Sequence, residues 1–288
     1  MSVDLYRGTQ GVNLPPAVSA EIWAQTVQDS TVMAAARRIS LPGNGVAIPV
    51  ITGDAEAGWV GETDPIGVSR PTLENKVMTP YKLAVIVPFS NEFRRDLPAL
   101  HAELVRRLPA ALGKKFDETA FGKVAAPGTN FDTLAAAPLL NVTRANTFTE
   151  AAAVLEALAA QDQELTHWHA APALHGLLLT ATDAVGRPFF INDAQGTGKV
   201  GSVFGAPVLR TKAALGAGQI GVAGNFAGSA VYGTVEGVKI SLSDQASLKD
   251  GNSTINLWQS DMFAVKAEIE VGFRVRNSQH FVRVGAGA

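Results

Sequence analysis

The chain has 288 residues, 47% hydrophobic and 17% charged, which is enough to bury a sizeable core in one large domain or two smaller ones. Its 24 Lys and Arg residues nearly balance its 26 Asp and Glu residues, so no basic field indicates a protein that reads nucleic-acid sequence. The absence of cysteine excludes a disulfide framework and is typical of a reducing compartment. Because the chain opens on no signal-peptide pattern and holds no run of roughly 18 apolar residues, we expect a soluble, cytoplasmic protein.

Residues 1–42 form the first segment. A polar start is followed by Pro15 and Pro16, and apolar residues then recur at helical spacing as far as Ile39, which predicts short helices. Two interpretations are open. The helices pack on their own domain, or the segment is an N-terminal arm that lies on a neighbouring subunit.

Residues 43–89 predict a β-hairpin with an unusually long tip. Alternating apolar residues at 46–50 predict one strand, and residues 77–89 predict a second. The polar, glycine-rich stretch between them is far longer than an ordinary hairpin turn of about 2–5 residues, and loops of that size are typically functional. Trp59 stands near the tip without an obvious local partner. Since an isolated two-stranded ribbon is marginally stable in water, we expect another chain to cover it.

The segment from Ser90 to Lys123 predicts one long amphipathic helix. An apolar residue recurs at every fourth position, at Leu100, Leu104, Leu108, Leu112 and Phe116. This stripe predicts a helix of roughly 25 residues, or about 37 Å, with Asp96 as its N-cap. Pro109 removes the hydrogen bond to the Val105 carbonyl at a cost of roughly 3 kcal/mol, so we expect a bend there.

The middle of the chain predicts two helices followed by short strands. Residues 149–160 predict a helix with Thr149 as its cap, and residues 173–183 predict a shorter one. Residues 186–202 predict a loop, and residues 203–242 predict successive short strands.

The strongest period in the chain runs from Met262 to Arg276. Apolar and polar residues alternate over its whole length, which predicts a long strand with one buried face. A second strand is predicted at 280–284. The leucine stripe of the long helix is the natural cover for the buried face. We therefore predict that residues 90–123 and 246–288 form one domain and that residues 124–245 are a second domain inserted into it.

Two patterns resemble chemical sites, and we interpret both as structural. Gly216, Gly218 and Gly221 satisfy the G-x-G-x-x-G pattern of dinucleotide sites, but the following sequence favours strands, so turns between strands explain them. His167 and His169 form an H-x-H pair that suits a metal only with further ligands. No nearby carboxylate or cysteine completes that set, so we interpret them as ordinary histidines at the start of a helix.

The paired carboxylates Glu62 and Asp64 lie on the hairpin tip, where solvated or bridging charges are the simpler explanation. We therefore predict no catalytic, cofactor or metal site and no enzymatic activity. The alternative is a monomeric metal-dependent enzyme that uses the His167 and His169 region.

The order of these elements resembles the major capsid proteins of tailed bacteriophages, whose α+β fold is the Hong Kong 97 type. Local patterns carry the resemblance: an extended-loop motif, a helix followed by a D-x-x-G-R turn, a G-x-P-V stretch with Asn225 where an aspartate is usual, and a closing strand. They stand at AGWVGETDPIGVSRPTLENKVMTPYKLAVIVPFSNEFRRD (57–96), APALHGLLLTATDAVGRPFF (171–190), FGAPVLRTKAALGAGQIGVAGNF (204–226) and FAVKAEIEVGFRVRNSQHFVRV (263–284).

The resemblance implies a shell subunit with four parts: an N-terminal arm, an extended loop, a peripheral domain built on the spine helix, and an inserted axial domain. The extended loop would lie across a neighbouring subunit, with inter-subunit residues Trp59, Glu62, Arg70 and Lys76. Pro109 would act as a hinge of the spine helix. The axial loop, near the centre of each capsomer, would carry Arg187, Asn192 and Lys199.

The implied partners are further copies of the chain, arranged in hexamers and pentamers of an icosahedral shell. Portal, scaffolding or decoration proteins and packaged double-stranded DNA, bound without sequence specificity, are also implied, whereas a membrane and a cofactor are not. The implied location is the virion, assembled in the host bacterial cytoplasm. An encapsulin, a protein compartment of similar fold that holds cargo enzymes, is the first alternative.

Overall fold

A computed structural model describes most of the chain, namely residues 16–51, 59–60, 68, 73–92, 97–182, 185–188, 190–192, 199–213, 215–251 and 253–287. The helices in these ranges are α1 (Pro16–Asp29), α2 (Thr31–Ala35), α3 (Leu97–Ala120), α4 (Thr147–Ala159), α5 (Pro172–Thr180) and α6 (Phe226–Ser229). None of these described helices is long and apolar enough to cross a membrane.

The strands are β1 (Arg37–Ser40), β2 (Val46–Ile51), β3 (Leu73–Met78), β4 (Tyr81–Ser90), β5 (Leu139–Val142), β6 (His167–Ala170), β7 (Ile191–Asn192), β8 (Lys199–Val203), β9 (Ala206–Arg210), β10 (Gln219–Gly224), β11 (Ala230–Thr234), β12 (Lys239–Ser243), β13 (Ser247–Asp250), β14 (Ser253–Asn256), β15 (Met262–Val275) and β16 (Phe281–Ala286). They form two large sheets and two hairpins, β2–β3 and β13–β14.

The first sheet is organised around the long strand β15, whose partners are β4, β11 and β12; β1 pairs with β11. The second sheet has the order β5-β16-β10-β6-β9-β8-β7. Strand pairing crosses the predicted domain boundaries in two places, and the boundaries themselves stay a prediction. β11 and β12 belong to the β15 sheet, and β16 belongs to the other sheet, where it pairs with β10 and β5. Val282 and Val284 explain the position of β16, because both are buried in the core of the second sheet.

The long helix α3 covers the first sheet as the apolar stripe predicted. Four residues of the stripe share one hydrophobic core with the apolar side chains of β15, namely Leu104, Leu108, Leu112 and Phe116. Phe116 meets Phe273 edge to face, with ring centroids 5.9 Å apart. α3 spans 24 residues with Pro109 inside it, and the bend at that proline stays a prediction. Asp96 lies outside the described residues.

The N-terminal segment packs on its own chain from residue 16 to residue 41. Ile22 and Val32 are fully buried in the core that α3 also enters. Gly113 permits the close approach, because a Cβ atom there would lie only 3.1 Å from the Ser30 nitrogen and 3.3 Å from the Thr26 oxygen. Of the two interpretations of this segment, a helix packed on its own domain is the one observed for the described part.

Two local predictions need correction. α4 begins at Thr147, two residues before the predicted start, and its N-cap is Asn146 in place of Thr149. The Glu150 carboxylate accepts from the Thr143 backbone N–H and hydroxyl and so orders the first turn. The predicted loop at 186–202 contains β7 and most of β8, which pair with each other at the edge of the second sheet.

Candidate assembly interface

The root of the extended hairpin is well defined. β2 and β3 pair antiparallel from Val46↔Met78 to Ile51↔Leu73. The hairpin therefore forms, but its second strand is 73–78, whereas most of the predicted strand at 77–89 is β4, which pairs with β15. Beyond this ladder the described tip residues are apolar and uncovered. Trp59 is fully exposed, Val68 is 83% exposed and Val60 is 41% exposed. Glu62 and Arg70, the other predicted interface residues of the tip, lie outside the described residues.

Met78 anchors the hairpin root in the first sheet. Gly233 of β11 and Gly272 of β15 are directly paired, and two missing side chains leave a gap on that face of the sheet. The Met78 side chain fills it together with Leu41, which is the nearest neighbour of Gly233. A Cβ atom on Gly272 would lie 2.7 Å from Met78 Cγ, and one on Gly233 would lie 2.8 Å from Met78 Sδ. Met78 is fully buried as a result. The flexible methionine side chain is well suited to such an irregular gap.

Arg274 ties three segments together at the same root. Its guanidinium donates two hydrogen bonds to the Val77 carbonyl, at 2.8 and 2.6 Å. It also donates to the Asp132 carboxylate at 2.7 Å and to the Asn130 side-chain oxygen at 2.9 Å. The other Asp132 oxygen accepts from the Val275 backbone N–H at 3.0 Å. A planar fork of five donors is the group that can hold so many acceptors at once.

Lys76 also binds within its own chain. Its ammonium donates to the carbonyls of Val275 and Arg276, each at 3.0 Å. The structure therefore places this predicted inter-subunit residue at the junction of β3 with the end of β15. A contact to a neighbouring subunit stays a prediction for it, as it does for Trp59.

A buried carboxylate joins the N-terminal segment to the spine helix. Asp117 of α3 accepts hydrogen bonds from the Ser30 hydroxyl at 2.5 Å, the Thr31 hydroxyl at 2.9 Å and the Thr31 backbone N–H at 2.8 Å. A longer bond comes from the Val32 N–H. Asp117 thus caps the N-terminus of α2 from a different element. Burial raises its pKa from 3.8 to about 6, although all four hydrogen bonds act in the opposite direction.

Similarity to known proteins identifies the family of this chain. A model of the phage capsid family matches residues 10–285. The chain belongs to the phage capsid family. The probable major capsid protein gp17 of Mycobacterium phage D29 is 26% identical over 93% of this chain and 88% of its own length. That of Mycobacterium phage L5 is 27% identical over 94% of this chain and 88% of its own.

A solved chain of Mycobacterium phage Cain has the same fold. It superposes with a TM-score of 0.70 at 22% identity and covers 90% of this capsid protein and 91% of that chain. The predicted α+β fold of the Hong Kong 97 type is therefore confirmed, and so is the resemblance to major capsid proteins of tailed phages.

The predicted axial residues of this capsid protein lie at one edge of the second sheet. Asn192 pairs with Gly201 in β7–β8, and Lys199 pairs with Leu209 of β9. Arg187 is exposed in the segment just before β7. The backbone thus brings Asn192 and Lys199 to neighbouring strands, and their position near a capsomer centre stays a prediction.

The histidines lie in strand β6, which corrects their assignment to the start of a helix; α5 begins only at Pro172. His169 is fully buried between Phe226 and Phe121, with ring centroids at 4.2 and 5.4 Å. Burial, helped by the nearby His167, lowers its pKa to about 3 and keeps the ring neutral. No group of three or more His, Asp or Glu side chains suited to a metal ion occurs in the described part of the capsid protein.

The glycine motif enters a strand, as the turn interpretation requires. β10 begins at Gln219, inside the motif, and the helix that follows the strand has only four residues. A dinucleotide site needs a helix that opens at the last glycine, so the three glycines form turns and strand backbone here.

Sequence reasoning missed Met78, Arg274 and Asp117, the three residues that hold the framework together. In the sequence, Arg274 is one of several polar residues on the predicted solvent-facing side of β15. The sequence did contain a signal for Asp117, because this residue directly follows Phe116 of the apolar stripe. A carboxylate next to a buried stripe is itself close to the core, and a buried charge needs a hydrogen-bonding partner.

The raised pKa of Asp117 predicts a pH dependence of folding stability. The folded protein retains this proton up to about pH 6, whereas an unfolded chain releases it near pH 4. The proton therefore favours the folded state below about pH 4, and this contribution is lost as the pH rises through 6. Relative to Asp117→Asn, the free energy of unfolding of the wild type should fall by up to about 3 kcal/mol between pH 4 and pH 7.

Urea unfolding of unassembled wild-type and Asp117→Asn subunits at several pH values measures this difference. A difference that does not change with pH would contradict the assignment, whatever its absolute size.

Proposed function

We propose that this protein is the subunit of an icosahedral phage head, assembled as hexamers and pentamers that enclose double-stranded DNA. The observation that carries the proposal is a hairpin fixed at its root and uncovered at its tip. Met78, Lys76 and Arg274 hold the root against the first sheet, while Trp59 faces solvent completely. A ribbon of this kind gains its stability when another copy covers it.

The shell function depends on contacts between copies and needs no reaction centre, so we propose that the protein has no enzymatic activity. Portal, scaffolding or decoration proteins are the proposed further partners. Assembly takes place in the bacterial cytoplasm in this proposal. The buried Pro109 inside α3 supplies a hinge through which the spine helix adapts to hexamers and to pentamers.

Electron microscopy of the protein expressed alone and of particles from infected cells tests the proposal. Closed shells with five-fold and six-fold capsomers, filled with genome-length double-stranded DNA in the infected cells, are the expected result. Particles that hold a cargo enzyme and no genome would support an encapsulin instead. A protein that stays monomeric at every concentration would overturn both.

Trp59→Ala should weaken assembly much more than folding. Because the Trp59 side chain is fully exposed in the single chain, its removal should change the free energy of unfolding by less than about 0.5 kcal/mol. A buried aromatic anchor at an interface, in contrast, is typically worth 2 kcal/mol or more, about thirtyfold in affinity. Particle yield by sedimentation and melting of unassembled subunits measure the two effects. The control is Trp258→Ala, at a tryptophan that is also exposed. Equal losses for both variants would contradict a specific role for Trp59.

A further inference from the structure

β4 is an edge strand of the first sheet that is long, apolar and only partly covered. It runs for ten residues, from Tyr81 to Ser90, and β15 is its only partner among the described strands. The other described edge strands of the two large sheets are shorter: β12 has five residues, β1 and β5 have four each, and β7 has two. Short length is one of the devices that protect the edges of natural sheets from other chains, and β4 lacks it.

Half of the backbone hydrogen-bonding groups of β4 point away from β15. The Asn91 N–H donates to the Asp261 carbonyl at 3.1 Å, and the same register continues along the whole of β4. Because hydrogen-bonded pairs alternate along an antiparallel ladder, the odd-numbered residues of β4 bond to β15 and the even-numbered residues present their N–H and C=O groups to the open edge. Pro88 is even-numbered, so its missing N–H takes nothing from the ladder with β15. The open edge thus offers backbone donors for which the described residues supply no partner, at Lys82, Ala84 and Ile86.

The side chains of β4 are also less covered than those of its partner strand. On one face of the sheet, the apolar residues of β15 are buried, whereas the β4 residues opposite them are only partly buried. On the other face, Ile86 is 47% exposed. An apolar strand with open backbone groups along its length is the kind of edge to which another strand binds. The unequally buried pairs are Leu83 with Ile269, Val85 with Ala267 and Val87 with Val265.

A second copy of β4 matches this edge in antiparallel orientation about a two-fold axis at Val85. Ala84 then lies opposite Ile86 of the second copy, a small side chain beside a large one, and their outward backbone groups form a hydrogen-bonded pair. Lys82 lies opposite Pro88 of the second copy, so the two Lys82 residues stay about 20 Å apart. β4 contains one basic and no acidic residue, so hydrogen bonds and apolar contacts, and not charge, recognise this edge.

We propose that the β4 edges of two copies pair across a two-fold axis and join their first sheets into one continuous sheet. This inference rests on the proposed shell function and adds a contact that does not involve the hairpin tip. In an icosahedral shell of hexamers and pentamers each subunit adjoins one two-fold or local two-fold axis, so every copy can take part in such an isologous contact. A strand from a different protein is the rival occupant, but the match of β4 with itself favours a second copy.

Cysteine crosslinking tests the pairing without background, because the chain contains no cysteine. The two Val85 residues would form a non-hydrogen-bonded pair with Cα atoms about 4.5 Å apart, which is within the range of a disulfide. We expect copper-catalysed air oxidation of Val85→Cys particles to convert about half of the chains or more into disulfide-linked dimers. Lys82→Cys is the matched control in the same strand and should give less than about a tenth, because its two copies lie about 20 Å apart.

A proline at the open edge provides a second test. Ala84→Pro removes an outward donor at the centre of the proposed pair and leaves the ladder with β15 intact. In the Val85→Cys background it should lower the dimer yield at least about tenfold, while the melting temperature of the unassembled subunit stays within a few degrees. If Val85→Cys itself prevents folding, the double variant Leu83→Cys with Val87→Cys is judged by the same criteria, since these two residues face each other across the same axis.

Four results would overturn the proposal. They are oxidised particles without dimers, equal dimer yields from Val85→Cys and Lys82→Cys, a dimer yield that Ala84→Pro leaves unchanged, and a crosslink from position 85 to a different protein, which assigns the edge to that partner. Particles that close normally without dimers leave the shell function intact. If the wild type forms no particles, the shell function fails, and oxidation of the same variants at high concentration in solution still tests the pairing.

Discussion

Replacing Arg274 with methionine is expected to lower the free energy of unfolding by roughly 3 kcal/mol. The Arg274 side chain is only 12% exposed and pairs with Asp132. Its removal takes the charged donor from one oxygen of the partly buried Asp132 carboxylate and two hydrogen bonds from the Val77 carbonyl. The hairpin root should loosen at the same time, because Arg274 is bound directly to β3. Urea unfolding of unassembled subunits measures the first effect, and hydrogen exchange of residues 73–78 measures the second.

Two further variants make this prediction specific. Arg144→Met, at an exposed arginine, should change the free energy of unfolding by less than about 0.5 kcal/mol. Arg274→Lys should recover only part of the loss, because an ammonium keeps the charge but lacks the planar fork. If Arg274→Met unfolds like the wild type and leaves exchange at 73–78 unchanged, the clamp is not a stabilising feature.

Deleting the tip from Gly58 to Thr72 should leave folded subunits that form no shells. The root retains its ladder from 46–51 to 73–78 and its anchors, so we expect the melting temperature of the subunit to stay within a few degrees of the wild type. Closed particles should fall at least a hundredfold, because the segment removed is the one proposed to bind the next copy. Sedimentation and electron microscopy measure the yield.

Replacing the same fifteen residues with a Gly/Ser linker tests whether assembly needs the side chains of the loop or only its length. It preserves the reach of the loop but removes Trp59, Glu62 and Asp64, and we expect it to fail in assembly as the deletion does. If the deletion variant forms normal shells, the tip has no role in assembly.

The elements that were predictable from sequence are those whose periodicity is long and local. The apolar stripe from Leu104 to Phe116 predicted the long helix, and the alternation along β15 predicted the long strand. Each has one apolar face that must be covered, so their packing against each other was predictable as well. The first strand of the hairpin was predictable in the same way, but its partner is 73–78 and not the predicted run at 77–89. The capsid resemblance drew on the order of these same elements.

The features that were not predictable depend on contacts between distant parts of the chain. The strand predicted at 280–284 was assigned to the same domain as β15, yet β16 pairs with β10 and β5 in the other sheet. Nothing in the alternation of a strand reveals which edge it joins. The Met78 anchor depends on two glycines that become neighbours only when β11 and β15 pair.

The side-chain network at the root was equally hidden. Arg274 contacts segments more than a hundred residues away in the sequence, and no local spacing encodes that distance. Of the predicted interface residues, Lys76 lies in the root and Trp59 is exposed at the tip, while Glu62 and Arg70 lie outside the described residues.

A cryo-electron microscopy map of the assembled particle at side-chain resolution tests the central claim most directly. We expect the tip of each hairpin to lie on a neighbouring copy, with Trp59 buried there, while Met78 and Arg274 hold the root as they do in the single chain. A map in which the tip folds back on its own subunit, or leaves Trp59 in solvent inside a closed shell, would contradict this account.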